Sequence, residues 1–258
     1  VSLGVAHPPG HPIPSLLGRL LGYLPVGELA WRVNLASALA GALAAAAVAA
    51  AGAAVTRRLA PAAPARVVGA AAGLGFALSR AAWEQAVRAE VYALEAMLVA
   101  IVLERFVALE ARWPTLDVRP LYHAGLALGL GLSNHHFMML LTLPALAPTL
   151  ARAYRARGPR PLLLFAGAVA TGLLTYLYLP VRAGTNPPID LGHPTDLASF
   201  YWVVSARAYQ GTHALQAEPL FDRMLDVVLA LVENLHVVTI LLALVGTWAL
   251  VRAPGARR

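Results

Sequence analysis

Two uncharged runs, residues 35–55 and 162–179, constrain this sequence more than anything else in it. A helix needs about 17–25 apolar residues to cross a bilayer, and each run reaches that length with no charged side chain inside it. Of the 258 residues, 59% are hydrophobic and 13% are charged, where a soluble domain has about 45–50% and about 25%. That balance excludes a soluble enzyme and a disordered chain, and it predicts an integral membrane protein.

There is no cysteine, which removes disulfide scaffolds, thiol nucleophiles and cysteine metal sites. All 20 basic residues are arginine, which reads as genome composition. The net charge of +7 does not indicate nucleic acid as a partner. A nucleic-acid surface clusters its charge on one soluble face, whereas these arginines lie between apolar blocks. The chain opens at Val1 in a half-helical apolar phrase with no charged region before it. The expectation is therefore a fragment, with sequence missing before Val1 and no signal peptide.

Seven candidate spans fall at 34–55, 66–82, 90–108, 119–133, 137–151, 161–179 and 225–251. The fourth and fifth are short enough to form a hairpin that does not fully cross. Thirteen of the 20 arginines sit in alternate connectors: Arg57, Arg58 and Arg66; Arg105, Arg112 and Arg119; Arg152, Arg155, Arg157 and Arg160; and Arg252, Arg257 and Arg258. By the positive-inside rule these connectors and the C-terminus are cytoplasmic. The expected layout is one domain over 1–258. It has an extracytoplasmic segment with an interfacial helix at 1–33, a transmembrane bundle at 34–179, a second extracytoplasmic loop at 180–224 and a last span at 225–251. The reading is of a multi-pass protein of a bacterial inner membrane. Seven of the eight histidines, namely His7, His11, His135, His136, His193, His213 and His236, gather on or near the extracytoplasmic face. Any chemistry is expected there.

Gly69/Gly73 and Gly125/Gly129 are GxxxG pairs, the spacing that lets helix backbones approach closely in membranes. No repeat of 20–50 residues, phosphate loop or zincin motif is present.

Four motifs carry chemistry. His7-Pro8-Pro9-Gly10-His11-Pro12-Ile13-Pro14 has four prolines in eight residues, which predicts a rigid extended strap turning at Gly10 and feeding an amphipathic stretch at 15–24. Arg80, Glu84 and Arg88 are spaced i, i+4, i+8, so they can pair along one helix face. Glu90 and Glu95 follow at the mouth of a span, where ionisable groups are costly and usually functional. Ser133-Asn134-His135-His136 reads as a polar turn between apolar runs. Adjacent histidines on a helix point about 100° apart, so a divalent metal would need a carboxylate such as Glu90. No metal set and no cofactor is assigned. Finally, Arg182 stands just outside a span in Leu179-Pro180-Val181-Arg182, where guanidinium could meet lipid phosphate. An aromatic helix at 198–209 follows, with Tyr201, Trp202 and Tyr209 read as interface anchors.

Taken in order, His-Pro-Pro-Gly at 7–10, Arg32-Val-Asn34-Leu-Ala-Ser37, Trp83-x-Gln85-Ala-Val-x-Ala-Glu90-Val-Tyr92-Ala-Leu94, Gly129-x-Gly131-Leu-Ser-Asn134-His135-His136 and Tyr178-Leu-Pro180-Val-Arg182-Ala-x-x-Asn186-Pro187 resemble the DUF2723 family. That family of multi-spanning proteins includes the TMEM260-type protein O-mannosyltransferases. The resemblance covers nearly the whole chain. It implies an all-α membrane bundle of the GT-C glycosyltransferase fold, which takes a sugar from a polyprenyl-phosphate carrier on the extracytoplasmic side. It also implies a principal acid in an Asp-x-Gly-Glu-like motif shortly before His7, which this chain does not contain.

Glycosyl transfer needs a base for the acceptor hydroxyl and stabilisation of the departing phosphate. The candidate set is Glu90 as a supporting carboxylate, with His7, His11, Glu84, Arg88, Tyr92, Asn134, His135, His136 and Arg182 as substrate-binding residues. One carboxylate base with a phosphate leaving group implies inversion by direct displacement. The implied partners are a lipid-linked sugar donor, a protein or glycan acceptor and the bilayer. Two other readings are a transporter or flippase of lipid-linked sugars and a non-catalytic scaffold. Transport calls for polar residues near the bilayer middle and broken helices in both halves, whereas the middles of these spans are nearly free of charge apart from Glu95 and Glu233. A scaffold leaves the motif series without a purpose. Glu233, Asn234 and His236, inside the last apolar run, read as an interhelical hydrogen-bonding group.

Overall fold

The computed structural model describes residues 3–113, 117–210 and 219–252. His213 and the tail arginines 257 and 258 lie outside them, and of His236 only the backbone is described. Among the described residues regular structure is helical, with one isolated bridge pairing Val5 and Asp190.

The chain opens as the strap, turning at Gly10 with φ +98°. Helix α1 (Pro12–Gly22) starts earlier than the four prolines suggest. Pro12 and Pro14 sit in its first turn, where the missing N–H would have no intrahelical acceptor. Helix α2 (Leu29–Leu59) has 31 residues; Pro61 and Pro64 then break the chain. Helix α3 (Ala65–Ala77) and helix α4 (Arg80–Ala86) are separate, because Ser79 caps α4 by accepting from the Ala82 N–H. Helix α5 (Val91–Ala111) begins directly after Glu90.

Helix α6 (Arg119–Leu140) is kinked at the expected turn at 134–136, where His135 has non-helical angles (φ −149°, ψ 83°). The sharp bend, 109°, comes later, between α6 and α7 (Leu143–Arg157). Helix α8 (Arg160–Leu173), a 3₁₀ turn at Leu174–Leu177 and α9 (Tyr178–Ala183) follow one another directly. Helix α10 (Leu197–Val204) carries a capping box between Asp196 and Ser199. The expected helix at 198–209 breaks at Ala206, whose φ is 54°. A single turn at Arg207–Tyr209 and α11 (Leu220–Arg252) complete the order.

The helices α3, α2, α5, α6 and α8 pack in that sequence, each against the next, and α1 lies across α2 and α6. Both GxxxG pairs sit at these contacts. A Cβ on Gly69 would come 2.4 Å from the Ala49 carbonyl oxygen, and one on Gly129 would come 2.1 Å from that of Val169. The main core, including Leu98, Val102, Phe106, Leu121 and Leu128, fills the seam around α5 and α6. A second cluster of Val5, Tyr176, Leu179, Ala183 and Val203 pins the N-terminal strap to the segment after α8.

Among the described residues, two helices are long and apolar enough to cross a membrane, Leu29–Leu59 and Arg160–Ala183, or three if the bent α6–α7 pair counts as one span. This is a membrane protein by these helices, but the expected seven spans are not reached. Helix α3 has only 13 residues, about 20 Å. Helix α5 has the length but carries Glu95, Glu104, Arg105 and Glu110. Helix α11 meets the bundle at α4, where Arg80 bonds both Glu84 at 2.9 Å and Glu233 at 2.5 Å. Glu233 is therefore an exposed carboxylate in an interhelical ion pair.

Candidate functional site

The strap, the N-terminal end of α5, the His135 kink of α6 and the turn after α10 enclose a cleft of about 420 Å³. Six of the candidate residues line it: His7, His11, Glu90, Tyr92, His135 and His136.

His11 holds the strap in place. Its backbone is left-handed (φ 39°) as it enters α1, and its ring is buried. Nδ1 lies 2.8 Å from the Asn134 carbonyl oxygen. A carbonyl only accepts, so the proton sits on Nδ1 and neutral His11 keeps a lone pair on Nε2. Burial lowers its pKa to about 4 against the opposing hydrogen bond to Asn134, and His7, His135 and His136 add like-charge repulsion. At neutral pH His11 is thus a hydrogen-bonding group and not a phosphate-binding cation.

The His7 ring packs edge-on against His11 at 4.9 Å between centroids and donates from Nδ1 to the Pro8 carbonyl at 2.9 Å. The Tyr209 hydroxyl stands 3.3 Å from the same nitrogen. Tyr92 stacks at a tilt on His135, 5.7 Å between centroids. Glu90 is exposed at the rim, with an extended backbone just ahead of α5.

Asn134 belongs behind the cleft. It is fully buried, and its Nδ2 donates to the Val91 carbonyl at 3.0 Å and to Glu95 Oε2 at 2.9 Å. It ties α6 to the start of α5 while its own carbonyl anchors His11. Glu95 is likewise fully buried. Glu95 Oε1, Asn134 Oδ1 and the Nδ1 atoms of His135 and His136 are buried with no hydrogen-bond partner among the described residues. Such groups are costly unless a polar ligand or water meets them, so this region suits a hydroxyl-rich ligand.

Three expected ligands are elsewhere. Glu84 is engaged by Arg80 on α4, and neither it nor Arg88 lines the cleft. Arg182 donates through Nε to the Leu3 carbonyl, next to the Tyr178 hydroxyl on the Gly4 carbonyl at 2.9 Å; it fastens the strap. No arginine among the described residues lines the cleft. Among the described residues, no group of three or more histidine or acidic side chains is arranged to hold a metal ion. Tyr209, read from sequence as an interface anchor, lines the cleft instead. The left-handed Ala206 swings it back toward His7, and alanine carries no sequence signal for that conformation.

A family model described as the protein O-mannosyl-transferase TMEM260 N-terminal domain matches residues 1–157. The chain is also 30% identical over 238 residues to the protein O-mannosyl-transferase TMEM260 of Mus musculus, covering 90% of this chain and 33% of that protein. It therefore spans about a third of the length of the curated relative it matches. No solved structure matches.

Proposed function

We propose, for a chain that belongs to the TMEM260 N-terminal domain family of protein O-mannosyl-transferases, that the whole protein is a GT-C-type membrane glycosyltransferase. It moves a hexose from a polyprenyl-phosphate donor to an acceptor hydroxyl of a protein, and the cleft is this chain's share of the reaction centre. One observation carries the reading. His7 and His11, Glu90 and Tyr92, and His135 and His136 come from three distant motifs and line a single cleft.

In the proposed step the acceptor oxygen forms a bond to the sugar C1. The bond from C1 to the phosphate oxygen breaks, and the electron pair leaves with the phosphate. The hydroxyl proton passes to a carboxylate. The resemblance gives the principal role to an acid that precedes His7 in sequence and leaves Glu90 a supporting one. Neutral His11 and the neighbouring imidazoles orient hydroxyls by hydrogen bonding, while Tyr92 and Tyr209 offer ring faces to the sugar. Direct displacement inverts the configuration at C1. The arginine distribution supports an extracytoplasmic cleft and a cytoplasmic C-terminus.

The test uses the full-length protein in liposomes supplied with radiolabelled polyprenyl-phosphate hexose. Label should leave the lipid for acceptor, and Glu90→Gln should slow it. Label that crosses the bilayer still attached to lipid would reject transfer and favour a flippase.

A further inference from the structure

Helices α2 and α5 pack along each other, and between their C-terminal ends lies a second cavity, of about 700 Å³. The 21 residues of α5 separate it from the cleft by about 30 Å, roughly the thickness of a bilayer's hydrocarbon core. Arg57 and Arg58 of α2, with Arg105 and Arg112 of α5 and its end, line the cavity beside Glu104; Arg58 also pairs with Glu110 and Arg112 with Asp117, each at 3.6 Å. Glu104 is buried and bonded to Arg105. Arg58 is fixed in the wall, donating to the Glu110 carbonyl at 2.7 Å. The rest of the lining is largely alanine.

Next to it runs a groove of about 620 Å³ that shares Ala54, Arg58 and Ala111 with the cavity. Its walls are mostly apolar, with Leu103, Phe106 and Leu146 among them, and of the polar members Thr149 and Arg152 are both bonded to Glu110. A pocket with four arginines thus opens onto a mostly apolar groove at the end of a helix long enough to cross a membrane.

We propose that this end of the bundle binds an anionic glycerophospholipid. The phosphodiester sits among Arg57, Arg105 and Arg112, and one acyl chain lies in the groove. Guanidinium pairs bidentately with phosphate oxygens, and basic pockets between membrane helices recognise anionic headgroups. A soluble phosphate would use the arginines but leave the groove without a role, whereas a lipid uses both. The site is remote from the cleft and does not depend on the transferase reading.

The experiment places the full-length protein in nanodiscs of phosphatidylcholine with a minor fraction of phosphatidylglycerol. Native mass spectrometry then measures the lipid retained after transfer to detergent. The protein should retain phosphatidylglycerol in preference to phosphatidylcholine. The Arg57→Gln/Arg112→Gln variant should lose about tenfold of that retention. The Arg155→Gln/Arg157→Gln variant removes equal charge from exposed positions of α7 outside the cavity and should lose less than about twofold. Arg57→Lys/Arg112→Lys, which keeps the charge, should retain part of the lipid and shows whether the fold survives. Equal losses in the two glutamine variants would mean only diffuse surface attraction and would overturn the site. No headgroup preference in the unmodified protein would overturn it as well. Displacement of the lipid by glycerol phosphate at similar concentration would make it a soluble-anion site and reject the lipid.

Discussion

The His11 ring donates through Nδ1 to the Asn134 backbone carbonyl at 2.8 Å, across 123 positions of sequence. The bond joins the N-terminal strap to α6 just before its kink. It fixes the tautomer of one cleft residue and the approach of the chain to the next, His135. Asn134 in turn reaches Val91 and Glu95 on α5. Three elements of the cleft therefore meet at one residue, Asn134, through its backbone carbonyl and its side-chain amide.

The burial that lowers the His11 pKa to about 4 makes stability depend on pH. The unfolded chain holds its imidazole near 6.5, so between about 4 and 6.5 it binds more protons than the folded one. Stability is then fully present above 6.5 and falls as pH drops through this window, by at most on the order of 3 kcal/mol. Thermal unfolding in detergent at pH 7.5 and at pH 5 should show this loss, and His11→Gln should flatten it. Parallel pH dependence in the two proteins would rule His11 out as the cause.

Asn134→Ala removes the donor to Glu95 Oε2, leaving a fully buried carboxylate oxygen unpaired. The expected cost is about 1–3 kcal/mol. Because the two residues are partners, Asn134→Ala/Glu95→Ala should cost less than the sum of the single changes, by at least about 0.5 kcal/mol. Strict additivity in that cycle would show that the bond contributes nothing.

Helix α8 meets α6 at Gly129, where a methyl group would sit 2.1 Å from the Val169 carbonyl oxygen; at Gly167 of the same helix pair nothing lies within 4 Å. Gly129→Ala should destabilise by about 1–3 kcal/mol through overpacking. Gly167→Ala should be neutral or stabilise by up to about 1 kcal/mol through helix propensity. Melting temperatures of the two variants, measured side by side, decide whether the close approach is real.

For activity, Glu90 and Glu84 form a contrasting pair. Glu90 lines the cleft, and Glu84 is held by Arg80. In sugar transfer by the full-length protein, Glu90→Gln should lower the rate by about 10² or more if it handles a proton, while Glu84→Gln should stay within about twofold, as expected of an exposed helix ion pair. A larger effect at Glu84 would move the reaction centre toward α4.

The sequence by itself determined the helical class, the membrane setting and six of the residues that line the cleft. These follow from short-range chemistry: apolar run length, proline and glycine punctuation, and clusters of histidine and acid that are expensive near a bilayer. The same local signals marked Gly69/Gly73 and Gly125/Gly129 as close-packing faces, because a missing Cβ is itself the packing device. Only the tertiary structure decided which polar residues face the ligand and which hold the frame. Arg182 and Asn134 carry side chains suited to binding, yet one fastens Leu3 and the other ties α5 to α6. Tyr209 entered the cleft through a left-handed alanine, and the break at 134–136 is a kink at His135 between two helical segments. The bend of 109° between α6 and α7 was likewise decided in three dimensions, since it depends on how helices pack and not on how apolar they are. Hydrogen bonds spanning more than 100 positions are set by which elements pack together, and local composition carries no record of them.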